Sequence, residues 1–276
     1  MKPKRIQFSV KTKCQFNCEF CMYDGTTEYF DIDTFFRYAE MFYEFGVREF
    51  ELTPVTGDSM LDHQLTWKID YLNSLGAEKI IVFTNGYALT ANYVDILQSY
   101  TQVELNVSIY GGNQSEFKKR TGVDGFERVL DTLYGIIGHK NLNPNSVVFH
   151  KRYSDNESAK LRMALEIAKT RGIQIWDCSH DTDWHEMVES NCHLGSTEKG
   201  ICRFALEDNA VLPDGDVTLC GWFDVDKKMI IGNVNEQSLD EIYSEGSKFN
   251  KIITEQRNGV YRGLCCTCTM RYDKRN

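Results

Sequence analysis

The sequence predicts an α/β protein: a partial (β/α)6 barrel followed by a small module built from a β-hairpin and a helix. Three observations carry this. Strand-like and helix-like stretches alternate six times between Ile6 and Cys178. The alternation stops after Cys178, and a hairpin pattern appears around Asp214-Gly215. The ten cysteines fall into one group at 14–21 and another at 192–268, with Cys178 alone between them.

The elements follow in order. Residues 6–13 alternate apolar and polar, as a half-buried strand does. Asp31 to Phe45 is rich in aromatics at helical spacing and ends at Gly46. Glu49 to Pro54 reads as a strand and Leu61 to Leu75 as a helix closed by Gly76. Lys79 to Thr84 is a strand with Asn85-Gly86 as its turn, and Ala91 to Tyr100 a helix. Val103 to Tyr110 is a strand, followed by a helical stretch within Phe117 to Ile137. Ser146 to Tyr153 and Ile173 to Cys178 are the fifth and sixth strands, with Glu157 to Arg171 as the helix between them. Six such units in succession require a parallel sheet with right-handed crossovers. Catalytic groups in such folds gather at the C-terminal ends of the strands.

The alternation also predicts the inner face. Val103, Leu105, Val107 and Ile109 belong under the helices, which leaves Glu104, Asn106, Ser108 and Tyr110 facing a lumen. Ser146, Val148, His150 and Arg152 form the matching row of the fifth strand. A polar lumen needs ordered water, partners or a polar ligand.

Composition narrows the function classes. At 276 residues the chain is long enough for a full core without disulfide staples. The net charge of −9 and the lack of a long basic run disfavour nucleic acid and anionic membranes. No apolar run reaches membrane-spanning length, and Met1-Lys-Pro-Lys-Arg5 lacks the apolar core of a signal peptide. A cytoplasmic protein is expected. In a reducing compartment the cysteines suit two metal centres better than disulfides.

The first centre is Cys14-x3-Cys18-x2-Cys21, directly after the first strand. Three cysteines leave one ligand position short of a closed zinc site or a fully ligated iron–sulfur cluster. Zinc completed by a distant residue is one reading. The motif and its place closely resemble the radical S-adenosylmethionine (radical SAM) enzymes. The resemblance implies a [4Fe-4S] cluster held by Cys14, Cys18, Cys21 and SAM. It also implies that Phe20 lies against the SAM adenine. Thr56-Gly57-Asp58 stands where the family often has Gly-Gly-Glu, so Thr56, Gly57 and Asp58 are implied at the SAM amine. Asn85 in the third-strand turn and Ser108 in the fourth strand are implied near the cofactor. Arg120 and Arg152 are the candidates for the SAM carboxylate.

The second centre begins at Cys202, followed by Gly215, Cys220, Ile231-Gly-Asn-Val234, a capping-box helix from Ser238 to Ile253, and Cys265-x2-Cys268. This resembles the SPASM and twitch domains appended to radical SAM enzymes. The chain ends eight residues after Cys268, which resembles the shorter twitch form with one auxiliary [4Fe-4S] cluster on Cys202, Cys220, Cys265 and Cys268. Four ligands close such a cluster and suit it to passing electrons. Structural zinc is the alternative. Cys266 could replace Cys265, Cys192 is a further thiol, and Cys178 reads as a small buried hydrophobe. The expected division is a radical SAM barrel over 1–178, a connecting segment over 179–201 and the auxiliary-cluster domain over 202–276.

Together the resemblances imply a radical SAM oxidoreductase, similar in layout to the twitch-type dehydrogenases of 2-deoxy-scyllo-inosamine. Reductive cleavage of SAM yields a 5′-deoxyadenosyl radical that takes a substrate hydrogen, and the auxiliary cluster accepts an electron. A flavodoxin- or ferredoxin-type donor is implied. The expected substrate is small and polar, because the first strand starts by Ile6 and leaves no room for a preceding peptide-binding module. Modification of a ribosomal peptide is the runner-up, and a zinc-stapled binding protein the non-enzyme alternative. Arg152 and His185 are the weak catalytic candidates.

Overall fold

The six sequence-predicted strands pair in parallel and in chain order: β1 (Arg5–Phe8), β2 (Glu49–Glu51), β3 (Lys79–Thr84), β4 (Val103–Ile109), β5 (Val147–Lys151) and β6 (Gln174–Asp177). Crossover helices separate them: α1 (Ile32–Phe45), α2 (Leu65–Leu75), α3 (Ala91–Gln98), the pair α4 (Gln114–Thr121) and α5 (Phe126–Gly138), and α6 (Ala159–Thr170). The computed structural model describes residues 1–153, 156–178, 200–266 and 268.

The helices form where their ends are capped and one face is apolar. The Asp31 side chain accepts from the Thr34 N–H at the start of α1, and Gly46 closes its end. Phe35, Tyr38, Ala39, Phe42 and Phe45 form the buried face of α1. Phe35 meets Phe8 of β1 at 4.4 Å between ring centroids, and Phe50 of β2 lies 6.3 Å from Phe8. This aromatic layer fixes the helix on the sheet; each such pair adds about 0.5–1.5 kcal/mol beyond area burial.

The sheet continues past β1. After the short α7 (Arg203–Glu207), β7 (Asp208–Val211) pairs in parallel with β1, aligning Arg5 with Asp208 and Gln7 with Ala210. Then β8 (Asp216–Thr218) and β9 (Ile230–Asn233) add antiparallel strands. The result is one nine-stranded sheet in the order β6-β5-β4-β3-β2-β1-β7-β8-β9. Its order is linear, so the barrel is partial. The sequence signalled a hairpin but not its parallel seam with β1, since a pairing about 200 residues apart leaves no local pattern.

The helix expected over 238–253 is two helices: α8 (Leu239–Ile242) and α9 (Lys248–Arg257). The capping box forms, with Ser238 and Glu241 bonding reciprocally. Gly246 then adopts φ +86, a conformation that interrupts the helix. Cys178 is half-buried rather than a core residue, because β6 is an edge strand with Trp176 52% exposed. Its Sγ lies 3.6 Å from His150 Nδ1. Among the described residues, no helix is long and apolar enough to cross a membrane.

Candidate active site

The loop after β1 carries Cys14, Cys18 and Cys21, all half-buried, onto the C-terminal edge of the sheet. Two bonds tie it to the end of α4: Asn17 N–H to Thr121 O at 2.9 Å and Glu19 N–H to Arg120 O at 3.1 Å. Phe16 anchors it, packing on Tyr87 and Phe117 at 5.5 Å each. Cys14 Sγ accepts from the Phe16 N–H at 3.4 Å and from Asn85 Nδ2 at 3.7 Å.

Burial pushes the Cys14 thiol up to about 11. Cys18 is raised by burial and then by Cys21 and Cys14, and Cys21 by burial. Three thiolates so placed repel one another until a cation joins them. The three thiols line the wall of one cavity of about 450 Å³. This donor set fits a multi-iron cluster with a ligand added from the cavity side.

The β2–α2 loop forms the next wall. Gly57 has φ +120, and a Cβ there would lie 2.1 Å from Thr12 Oγ1 and 2.5 Å from the Thr12 carbonyl oxygen. Only glycine permits this approach. Asp58 is fully buried, and its carboxylate accepts from Thr84 Oγ1 at 3.0 Å, from the Asn85 N–H at 2.7 Å and from the Met60 N–H at 2.9 Å. It therefore braces the β3 turn. Thr56 Oγ1, buried on the same wall, has no hydrogen-bond partner among the described residues. Asn85 Oδ1 accepts from Gln15 Nε2 at 3.1 Å and from the Tyr87 N–H at 2.9 Å, which aims its amide nitrogen at Cys14.

Across the cavity, Phe20 lies over Tyr110 at 5.2 Å, tilted by 30°, and Arg120 Cζ stands 5.2 Å from the Phe20 ring. Arg152 Nε donates to Ser108 Oγ at 3.3 Å. The lumen alternation holds: Ser108, Tyr110 and Arg152 all line the cavity. Deeper, His150 Nε2 donates to Asn106 Oδ1 at 2.8 Å. Burial and then Arg152 depress His150 to about 3, so it is neutral at ordinary pH. His185 and Cys192 lie outside the described residues.

Sequence reasoning missed the residues on the floor. Gln7 and Glu51 line the same cavity, as do Gly221, Trp222 and Phe223, which follow Cys220. The signal for two of them was present: Gln7 alternates with Ile6 and Phe8, and Glu51 stands between Phe50 and Leu52. Both were on the polar side of a strand whose other side is apolar.

The second cysteine group gathers on the β7–β8–β9 side. Cys202 and Cys265 are buried, and Cys220 and Cys268 half-buried. Burial raises the Cys220 thiol strongly, followed by the charges of Cys265, Cys268 and Cys202, so all four are electrostatic neighbours. Gln256, fully buried on α9, binds two of them. Its Oε1 accepts from the Cys202 N–H at 3.0 Å, and its Nε2 donates to Cys265 Sγ at 3.6 Å. Four neighbouring thiols, with Cys202 and Cys265 braced by Gln256, fit a closed cluster.

Comparison with known proteins covers both segments. The radical SAM superfamily model matches residues 8–157, more than half of the chain. This chain belongs to the radical SAM superfamily. The SPASM iron–sulfur cluster-binding domain model matches residues 202–269. This radical SAM protein accordingly uses SAM and [4Fe-4S] clusters. Curated relatives include the GTP 3′,8-cyclase of Tolumonas auensis, 28% identical over 62% of this chain and 51% of that protein. The probable GTP 3′,8-cyclase of Pyrobaculum aerophilum is 25% identical over 68% of this chain and 64% of its own length. The chain thus spans about half to two thirds of these relatives. Among solved structures, BtrN in complex with AdoMet and 2-DOIA superposes with a TM-score of 0.63 at 16% identity, covering 98% of this chain and 94% of BtrN. Streptococcus suis SuiB gives 0.59 at 14% identity, covering 93% and 68%. At these identities the likeness is one of fold.

Proposed function

We propose that this radical SAM enzyme is an oxidoreductase that removes two electrons from a small polar substrate, with the Cys202/Cys220/Cys265/Cys268 site accepting the second electron. The reading rests on one observation. A single cavity is lined both by Cys14, Cys18 and Cys21 and by Gly221-Trp222-Phe223, immediately after Cys220. Substrate held there is within reach of both segments.

When bound, SAM and the cluster would supply the radical chemistry that removes one hydrogen atom, after which the substrate gives its electron to the second site and a proton to solvent. The chain's own residues bind and orient. Thr56, whose hydroxyl has no partner among the described residues, and the backbone around Gly57 receive the SAM amine. Asp58 holds that wall in place. Phe20, on Tyr110, backs the adenine, and Arg120 and Arg152 face the carboxylate. The apolar side chains Phe16, Phe20, Phe83 and Phe223 exclude water from the reacting carbon. A flavodoxin- or ferredoxin-type protein is the proposed electron donor.

The curated relatives favour a second reading, radical ring closure on a purine nucleotide. Among the described residues, Arg120 and Arg152 are the cationic side chains lining the cavity. Two guanidiniums are few for a triphosphate that must share the cavity with a SAM carboxylate. SuiB bound to its precursor peptide SuiA shares the fold and keeps peptide modification as a third reading. One assay separates them. Anaerobically reconstituted enzyme is incubated with a reductant, SAM and each candidate: a polyol, GTP or a peptide. The oxidoreductase reading expects a product two hydrogens lighter from the polyol class. A GTP-derived cyclic product, or a modified peptide, overturns it. Zinc at both sites without SAM cleavage overturns all three and leaves a metal-stapled binding protein.

A further inference from the structure

Gln256 is a polar residue at a core position. The buried face of α9 is Phe249, Ile252, Ile253 and Gln256, the spacing of one apolar helical stripe. Gln256 is 0% exposed. An amide buried this completely costs free energy unless both of its ends are paired. Apolar residues fill the other three positions, so packing alone does not call for glutamine at the fourth.

The two ends are paired in one sense only. The Cys202 backbone N–H, 3.0 Å from the side chain, can only donate, so the atom facing it is Oε1. That leaves Nε2 directed at Cys265 Sγ, at 3.6 Å. Turning the amide over would set two donors against each other at Cys202. The backbone of one cysteine thus aims a donor at the sulfur of another.

The segment that returns Cys265 to α9 has ties of its own. The Val260 N–H donates to the Glu255 carbonyl at 2.9 Å, and Arg262 binds the Glu255 carboxylate through Nε at 2.6 Å and Nη2 at 2.7 Å. The Cys265 N–H then donates to the Arg262 carbonyl at 3.1 Å. These bonds hold Cys265 near the helix without the Gln256 amide, which leaves the contact between Nε2 and sulfur free to serve the chemistry of that sulfur.

Four thiolates on one cluster concentrate negative charge in a buried place, and an added electron increases it. Burial and the charges of Cys265, Cys268 and Cys202 already oppose a thiolate at Cys220. A donor held against a ligating sulfur binds more strongly as that sulfur gains charge. It therefore favours the reduced form and raises the reduction potential.

We propose that Gln256 sets the reduction potential of the second site: its Nε2 hydrogen bond to Cys265 Sγ favours the reduced cluster, so that this site takes the electron given up by the substrate radical. This deepens the reading of Cys202, Cys220, Cys265 and Cys268 as the electron acceptor and rests on it. Gln256 is a positioning residue that acts through Cys265. The step balances without a further oxidant: the substrate radical loses one electron to the second site and one proton to solvent.

The test is a redox titration of the anaerobically reconstituted full chain, followed by electron paramagnetic resonance. The signal that persists in the Cys14→Ala/Cys18→Ala/Cys21→Ala chain identifies the second site. Gln256→Met keeps the length of the side chain and removes its amide. The midpoint potential of the second site should fall by about 59 mV or more, a tenfold shift of a one-electron couple towards the oxidised form. Glu255→Gln loosens the neighbouring segment but leaves the amide in place, and should shift the same ratio by less than about twofold. A third readout needs no variant. With isotope-labelled nitrogen in the glutamine side chains, the reduced second site of wild type should show nitrogen hyperfine coupling, and Gln256→Met should lack it. An unchanged midpoint in Gln256→Met with its iron retained, or no such coupling in labelled wild type, overturns the role of Gln256. Failure of the electron-acceptor reading shows separately, as zinc at the second site or as oxidised product formed at the wild-type ratio by the Cys265→Ala/Cys268→Ala chain.

Discussion

The Asp58 carboxylate accepts the Asn85 backbone N–H at 2.7 Å, which locks the β2–α2 loop to the β3 turn. Thr84 Oγ1 and the Met60 N–H complete its bonds. Asp58→Ala leaves two buried backbone donors and a hydroxyl without an acceptor. It should cost about 2–4 kcal/mol, read as a lower denaturant midpoint at unchanged slope. It should also weaken SAM binding, because Thr56 and Asn85 lose their support. An unchanged midpoint would contradict this bracing role.

Gly57→Ala tests the same wall sterically. Its Cβ would overlap Thr12 and sit at φ +120. The loop must shift, so SAM affinity should fall by about tenfold or more while the core stays folded. Titration of SAM into the reconstituted variant measures this, and wild-type affinity would mean the loop relaxes freely.

The two cysteine groups should separate by assay. Alanine at Cys14, Cys18 and Cys21 should reduce iron from about eight to about four per chain and abolish SAM cleavage. Alanine at Cys265 and Cys268 should also remove about four irons but leave some cleavage to 5′-deoxyadenosine without completed product. Gln256→Ala removes the shared brace of Cys202 and Cys265. It should lower the iron retained at the second site and alter its electron paramagnetic signal, leaving the first site's signal as in wild type.

Glu51 gives stability a pH dependence. Burial raises its carboxyl from 4.5 to about 7 against the opposing pull of Arg5, with Asp208 and Glu104 adding to the rise. Between those values the folded chain keeps a proton that the unfolded chain has released. Its contribution to stability therefore falls as pH rises from about 4.5 to about 7 and is level above that. Glu51→Gln should flatten this part of the profile in denaturant titrations across pH 4.5 to 8. A wild-type profile that rises through this window in step with the variant's would place the Glu51 carboxyl at an ordinary value.

Much of this architecture was legible in the chain. The crossover units showed because each strand and helix carries its own period. The thiol groups showed because their spacing is local. The lumen face of β4 was readable from Asn106, Ser108 and Tyr110, and the same alternation at Gln7 and Glu51 carried a signal that only the assembled cavity made meaningful. Three features had no local signature. The β1–β7 seam joins residues distant in sequence. Gln256 bonds two cysteines from a position on α9 that reads as an ordinary polar residue. Asp58 has the residue type of an ammonium acceptor, but its bonds to Thr84, Asn85 and Met60 depend on where β3 ends.

The central claim is that one cavity couples hydrogen removal to an electron acceptor at the second site. A single-turnover experiment with a deuterated polyol substrate tests it most directly, run on wild type and on the Cys265→Ala/Cys268→Ala variant. The account predicts deuterium in 5′-deoxyadenosine from both proteins, with the two-electron-oxidised product formed in a one-to-one ratio by wild type alone. Oxidised product from the variant at the wild-type ratio, or 5′-deoxyadenosine from wild type without deuterium, would contradict it.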